Sequence, residues 1–197
     1  MQTKIAKIVK SNSHVDYIAR VIDALDAENP PPADSYGFAQ FVSIPLGDAD
    51  IIGVIYNSAL VNPEYGSFGP RLSPASELAV LSPDYLNEQG KLIGILLLGW
   101  RNSSGTRHTV PRNIIPVSQD VYSLPDDQVV AFHNDSTGRI QLHYFSQVIG
   151  NAGSFSVPLI ESIIEQLEPA CSSEDKQRLC VLRQALMWQR TVGGMRL

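Results

Sequence analysis

The sequence predicts an α+β fold: a small closed β-barrel of about six strands, followed by a mainly helical C-terminal region. Three observations carry this prediction. Gly37 to Pro70 (GFAQFVSIPLGDADIIGVIYNSALVNPEYGSFGP) sets two β-type runs, Phe38 to Ile44 and Ile51 to Tyr56, around the turn Pro45-Leu46-Gly47-Asp48-Ala49-Asp50. Leu92 to Trp100 is nearly continuous in apolar residues, the pattern of a strand buried on both faces. Late in the chain, Leu159, Ile160, Ile163, Ile164 and Leu167 fall at helical spacing.

Taken in order, Ile5 to Val9 and Val15 to Ile22 are two β-type runs around Lys10-Ser11-Asn12-Ser13-His14. They read as a first strand pair, or as one long strand broken by a bulge. Ala24 to Asp34 is a loop, because Asn29-Pro30-Pro31-Pro32 continues neither a sheet nor a helix interior. In the central hairpin, β-branched and aromatic residues suit a pleated, half-buried surface, and Gly47-Asp48 and Asp50 supply the turn. Pro45 has no N–H for a ladder, so the first strand ends there or lies at an edge. Gly53, inside the second strand, marks a bulge or the tight corner that a small barrel needs.

Ser58 to Pro74 is a long connection rich in Pro and Gly, the kind of loop that packs over a barrel end or carries function. Glu77 to Leu81 fits a short strand or a helical turn. Ser82-Pro83 fits a capped helical turn, and Gly94 and Gly99 mark bends in the apolar strand. After Trp100 the composition changes. Arg101 to Arg112 (RNSSGTRHTVPR) is polar and without acids. Residues 1–100 therefore read as barrel, 101–116 as linker and 117–197 as the mainly helical region. There, Leu124-Pro125-Asp126-Asp127 opens a helix toward His133, with its acids in the first turn. Ile140 to Ile149 fits strand or helix. Ser156 is the expected cap of the next helix, and Ser172 and Ser173 of the last one. The last helix carries an apolar stripe of Leu179, Val181, Leu182, Leu186 and Trp188 and ends at Gly193-Gly194.

Bulk properties narrow the function. The 197 residues are 44% hydrophobic and 18% charged, a globular composition with enough chain for a real core. A net charge of −5 disfavours a general nucleic-acid surface, although DNA contact through a local basic patch stays open. Cys171 and Cys180 form no CxxC pair and read as reduced cysteines of a cytoplasmic protein. The charged N-terminus does not read as a signal peptide, and no apolar run is long enough to span a bilayer.

The candidate chemistry is sparse. His14 and Asp16 would share a face if both stood on a strand, a pairing suited to acid–base work. His108, His133 and His143 match no metal-ligand spacing, so no metal and no cofactor is expected. A hydrolase using His14, His133 or His143 is the enzymatic alternative. Asp126-Asp127 reads as a helix-dipole pair, and Ser103-Ser104-Gly105 as linker. The recognition candidates are Tyr56, Asn57, Tyr65, Phe68 and Arg71, aromatics and an arginine suited to stacking on a partner. Arg101, Arg107 and Arg112 form the basic run suited to phosphate contact.

The motif order KIVKSNSHVDYIARV, FVSIP, IIGVIYNSALVNPEYGSFGPRLSP, ELAVLSPDYLNEQGKLIGILLLG and IPVSQDVYSLPDDQVVAFH resembles the HAS-barrel. This is the N-terminal barrel of HerA-type DNA-translocating ATPases and of rotary ATP synthase subunits. The similarity covers about residues 1–135 and is strongest over Ile51 to Gly66. It implies a closed six-stranded barrel that serves as a platform for ring assembly. The ATPase part is not implied, because no GxxxxGK[ST] occurs. The nearest run, Gly99 to Thr106, lacks the phosphate-reaching lysine. The expected function is a non-enzymatic assembly and interaction module, homo-oligomeric. The alternative is an accessory factor of a separate HerA-like ATPase.

Overall fold

Short alternating runs make the first hairpin. Strands β1 (Lys4–Ser11) and β2 (Asp16–Val21) pair antiparallel, with Ala6 opposite Val21 and Ser11 opposite Tyr17 and a bulge between Ile8 and Lys10. The computed structural model describes residues 2–63, 80 and 88–193, with side chains through residue 185. Five further strands follow: β3 (Phe41–Leu46), β4 (Ala49–Val61), β5 (Gly90–Asn102), β6 (Gly105–Arg107) and β7 (Asp120–Ser123).

The ladder runs β2–β1–β7–β3–β4–β5, and β5 pairs back onto β2. Six antiparallel strands therefore close a barrel, and β6 is a short hairpin extension on the far half of β5. Closure removes the sheet edges that an open meander would expose. Ile5, Tyr17, Phe41, Ile44, Ile52, Ile55, Ile95 and Leu97 are among the residues that fill the core. Successive residues Ile95 to Leu98 are all buried, because β5 faces the barrel interior on one side and the helical region on the other.

Two of the glycine expectations, Gly53 in the hairpin and Gly94 in the later apolar strand, meet a physical reason. The β4–β5 register slips between Ile52 and Gly53, and a Cβ on Gly53 would sit 2.7 Å from Ile95 Cγ2. A Cβ on Gly94 would sit 3.2 Å from Tyr56 Cε1, because the tyrosine ring crosses the strand there. Pro45 lies inside β3, opposite Asp50. Strand β7 reaches only Val42 and Ser43 on the other side, so the missing N–H falls on a locally open edge.

Several elements differ from the sequence reading. Strand β3 begins at Phe41 and not at Phe38, because Ala39 takes a positive φ of 64° and turns the chain out of the sheet. Strand β4 runs on past Tyr56 to Val61, held by β5 from Asp50 to Val61 around a bulge at Tyr56. Strand β6 lies in the segment read as linker. Strand β7, read as part of the helical region, closes the barrel between β1 and β3. It is only four residues long with one fully buried side chain, Val121, so it leaves little periodic signal.

The helical region comprises α1 (Asp126–His133), α2 (Phe145–Asn151), α3 (Ser156–Leu167) and α4 (Ser173–Gly193). The five α3 residues expected at helical spacing are all buried. Ser156 is not its cap, because its hydroxyl turns back to the Gly153 carbonyl. Ser172 does cap α4: its Oγ accepts from the Asp175 N–H and donates to the Asp175 carboxylate. Val181 leaves the α4 stripe and is 66% exposed, whereas Leu179 is buried. Residue ranges 64–79 and 81–87, with the expected short strand and the Ser82 cap, lie outside the described residues. Among the described residues no helix is long and apolar enough to cross a membrane.

Ser43 is fully buried in β3, and its hydroxyl has no hydrogen-bond partner among the described residues. Removing an unsatisfied hydroxyl relieves a desolvation penalty. Ser43→Ala is therefore expected to leave urea stability unchanged or raise it by up to about 1 kcal/mol.

Candidate functional site

One concave surface collects exposed apolar side chains. The departure of the chain at Ala39 leaves the end of β4 without a strand neighbour on its outer side among the described residues. The last ladder bonds there join Ala39 and Gln40 to Ile55. Beyond it, residues 57–61 are exposed and pair only with β5. Beside this ribbon lies a groove of about 300 Å³, within the size range of ligand sites. Its walls are Tyr36 and Phe38, Tyr56 to Leu60, Lys91 to Ile93, and Phe155 from the turn between α2 and α3. Phe38 and Phe155 meet with ring centroids 6.0 Å apart, which ties the helical region to the barrel at one end of the groove. Leu60 is 83% exposed, Phe38 46% and Phe155 41%, and scattered single apolar residues do not explain such a grouping.

Two groups set the electrostatics. The Lys91 ammonium donates to the Tyr36 hydroxyl at 3.0 Å and stands 5.4 Å from the centre of the same ring. No carboxylate among the described residues pairs with it. Burial, and then the neighbouring Asp16 side chain, push the Tyr56 phenol up to about 12. Its hydroxyl therefore stays protonated at neutral pH.

The histidines form a second cluster, at the junction of the barrel with the helical region. His133 is fully buried. Its Nδ1–H donates to the Val129 carbonyl at 2.6 Å, and its Nε2 accepts from the Tyr144 hydroxyl at 2.6 Å. The carbonyl only accepts, which fixes this tautomer. Burial lowers the His133 imidazole to about 3 and raises the Tyr144 phenol well above its usual range. Both are neutral and mutually satisfied. The Phe41 ring of β3 meets His133 edge-on at 5.2 Å. His108 donates Nε2–H to the Phe132 carbonyl at 2.9 Å, and its ring lies 5.9 Å from that of exposed His143. Burial holds His108 below its usual value. The structure thus brings His108, His133 and His143 together, as packing around a locked hydrogen-bonded pair. Among the described residues no group of three or more His, Cys, Asp or Glu side chains could hold a metal ion.

The His14–Asp16 pairing does not form as expected. His14 lies in the turn before β2, not on a strand, and donates to the Pro111 carbonyl at 2.7 Å, while Asp16 accepts from Asn12. Asp126 and Asp127 occupy the first turn of α1, where the dipole favours them. Ser103-Ser104 form the tight turn into Gly105 of β6, with the Ser104 N–H on Asn102.

Of the recognition candidates, Tyr56 and Asn57 line the groove, and Tyr65, Phe68 and Arg71 lie outside the described residues. Of the basic run, Arg101 is occupied by Asp50 at 3.1 Å and Gln128 at 2.7 Å. Arg107 and Arg112 are exposed and take no side-chain partner among the described residues. Sequence reasoning missed Tyr36, Lys91 and Phe155, and placed Leu60 in a recognition loop, Asn57 to Arg71, and not on a strand. The run Ala59-Leu60-Val61 after Tyr56 was the available signal, since it continues the strand into a segment read as loop.

Fold and site together define a closed antiparallel barrel with a docked helical region and an open-edged apolar groove between them. The chain belongs to the family described as a domain of unknown function (DUF8166), whose model matches residues 1–196. No curated protein matches the chain.

Proposed function

We propose that this chain is a non-enzymatic assembly and interaction module, in which the barrel is a rigid platform and the groove a contact face. One observation carries the reading: Phe38, Leu60 and Phe155, three exposed large apolar side chains from distant parts of the chain, converge on one groove. The buried His133 and Tyr144 spend their polar atoms on each other and on backbone, which supports a structural role for that cluster. The HAS-barrel resemblance adds a homo-oligomeric platform, and the unpaired Cys171 and Cys180 add a cytoplasmic setting. The resemblance also supports a second reading as an accessory factor of a separate HerA-like ATPase. The exposed Arg107 and Arg112 favour that reading, since they are free to meet phosphate.

Sedimentation velocity over a wide concentration range tests the module reading. The expected result is a species heavier than the 21.6 kDa chain, alone or with a HerA-like ATPase. A strict monomer under both conditions overturns it. Phe155→Ser is expected to lower unfolding stability by less than about 1 kcal/mol, because the ring is largely at the surface, while weakening complex formation about tenfold.

A further inference from the structure

We propose that the open edge of β4 binds an extended acidic polypeptide by strand addition, with an apolar side chain of that strand in the groove and a carboxylate on Lys91. The proposal rests on the contact-module reading and names its partner class.

The backbone geometry comes first. The β4–β5 register slips between Ile55 and Asn57, so Tyr56 is a bulge residue. Ile55 bonds outward, to Gln40 and Ala39. The extra residue shifts the alternation, so beyond it Ser58 and Leu60 turn their backbone groups away from β5. The Ser58 N–H does point outward, and the Asn57 Oδ1 accepts it at 2.8 Å. Leu60 carries no such cap, and its outward N–H and C=O have no partner among the described residues. A donor and an acceptor at one residue spacing are what a second polypeptide backbone satisfies.

The charge decides which polypeptide. Lys91 stands directly opposite Leu60 in the ladder. Its ammonium is held over the Tyr36 ring, at the rim of the apolar groove, without a carboxylate. An incoming strand that bonds Leu60 puts the facing side chain on the same face as Lys91, with Leu60 between the two. An Asp or Glu there neutralises the ammonium, and an apolar residue two positions along the strand enters the groove beside the paired rings of Phe38 and Phe155. A basic strand would place like charges together.

The test uses the full chain and two pools of short fluorescent peptides. The pools share β-branched flanks and differ only in Glu or Lys at the central position. Fluorescence anisotropy is expected to show the Glu pool binding about tenfold or more tightly than the Lys pool, and Lys91→Glu reversing that order. Leu60→Pro removes the outward N–H at an exposed edge where proline is tolerated, and is expected to lose about tenfold beyond Leu60→Ala, which keeps it. Equal binding of both pools, binding of neither, or equal loss in the Pro and Ala variants overturns the proposal. If the chain sediments as an oligomer that Leu60→Pro disperses while both pools are ignored, a second copy holds the edge. The peptide proposal then fails and the module reading stands. A monomer that takes up the Glu pool supports the proposal without any self-assembly.

Discussion

Gly99→Ala is expected to destabilise the barrel by about 3 kcal/mol or more, the upper range for overpacking. A Cβ at this position would collide with the backbone carbonyl of Arg107 and lie 3.1 Å from His108 Cα. Backbone cannot rotate away as a side-chain tip can, so β6 and the strap after it must lift off β5. That strap carries His108, whose bond to the Phe132 carbonyl joins it to α1. The loss is a large share of the roughly 5–15 kcal/mol that holds a domain folded. Gly94→Ala is the milder comparison, because its neighbours are the Asn57 and Tyr56 side chains at 3.2 Å. Urea unfolding of both variants checks the order. Equal midpoints would mean that the strap does not press on β5.

The second large effect is acid instability from the buried His133–Tyr144 pair. The unfolded chain protonates His133 near its usual 6.5, whereas burial holds the native group at about 3. Between these values the unfolded state binds a proton that the native state refuses. Stability from this site is therefore complete above pH 6.5 and is lost progressively as pH falls, by on the order of 4–5 kcal/mol by pH 3. His108, also held low by burial, adds loss in the same direction. The double variant His133→Phe with Tyr144→Phe removes both polar partners and leaves no lone buried hydroxyl. Its urea midpoint is expected to fall less steeply between pH 6.5 and 4 than that of the native chain. Parallel curves would contradict the assignment of the buried proton balance to this pair.

Much of the fold was legible because burial imposes period. Ile51 to Tyr56 and Leu92 to Trp100 read as strands since closed sheets bury their β-branched residues, and α3 shows its helical spacing for the same reason. Gly53 was legible as a bulge because a glycine inside a β-branched run weakens the strand and offers no side chain to pack. The barrel's closing strand was not, since Val121 is the one fully buried side chain of β7 and a single apolar residue has no period. The turn at Ala39 was hidden too, because alanine with positive φ carries none of the glycine signal on which such turns are read. That turn bares the outer edge of β4, so the same blind spot concealed most of the groove. Tyr56 and Asn57 were found by their aromatic and polar character. Lys91 and Phe155 come to the site only through pairing and docking across the sequence. The histidine cluster was seen as three scattered residues. Its locked hydrogen bonds depend on the helix α1 placing the Val129 carbonyl under His133, and nothing in the spacing discloses Tyr144 as the partner.

Residue-resolved amide exchange in the free chain tests most directly whether the β4 ribbon offers a vacant edge. Amides of Asn57, Ala59 and Val61, turned into the ladder with β5, are expected to exchange slowly, and that of Leu60 fast. Uniform slow exchange from Asn57 to Val61 would show the edge already covered, and the contact face described here would not exist.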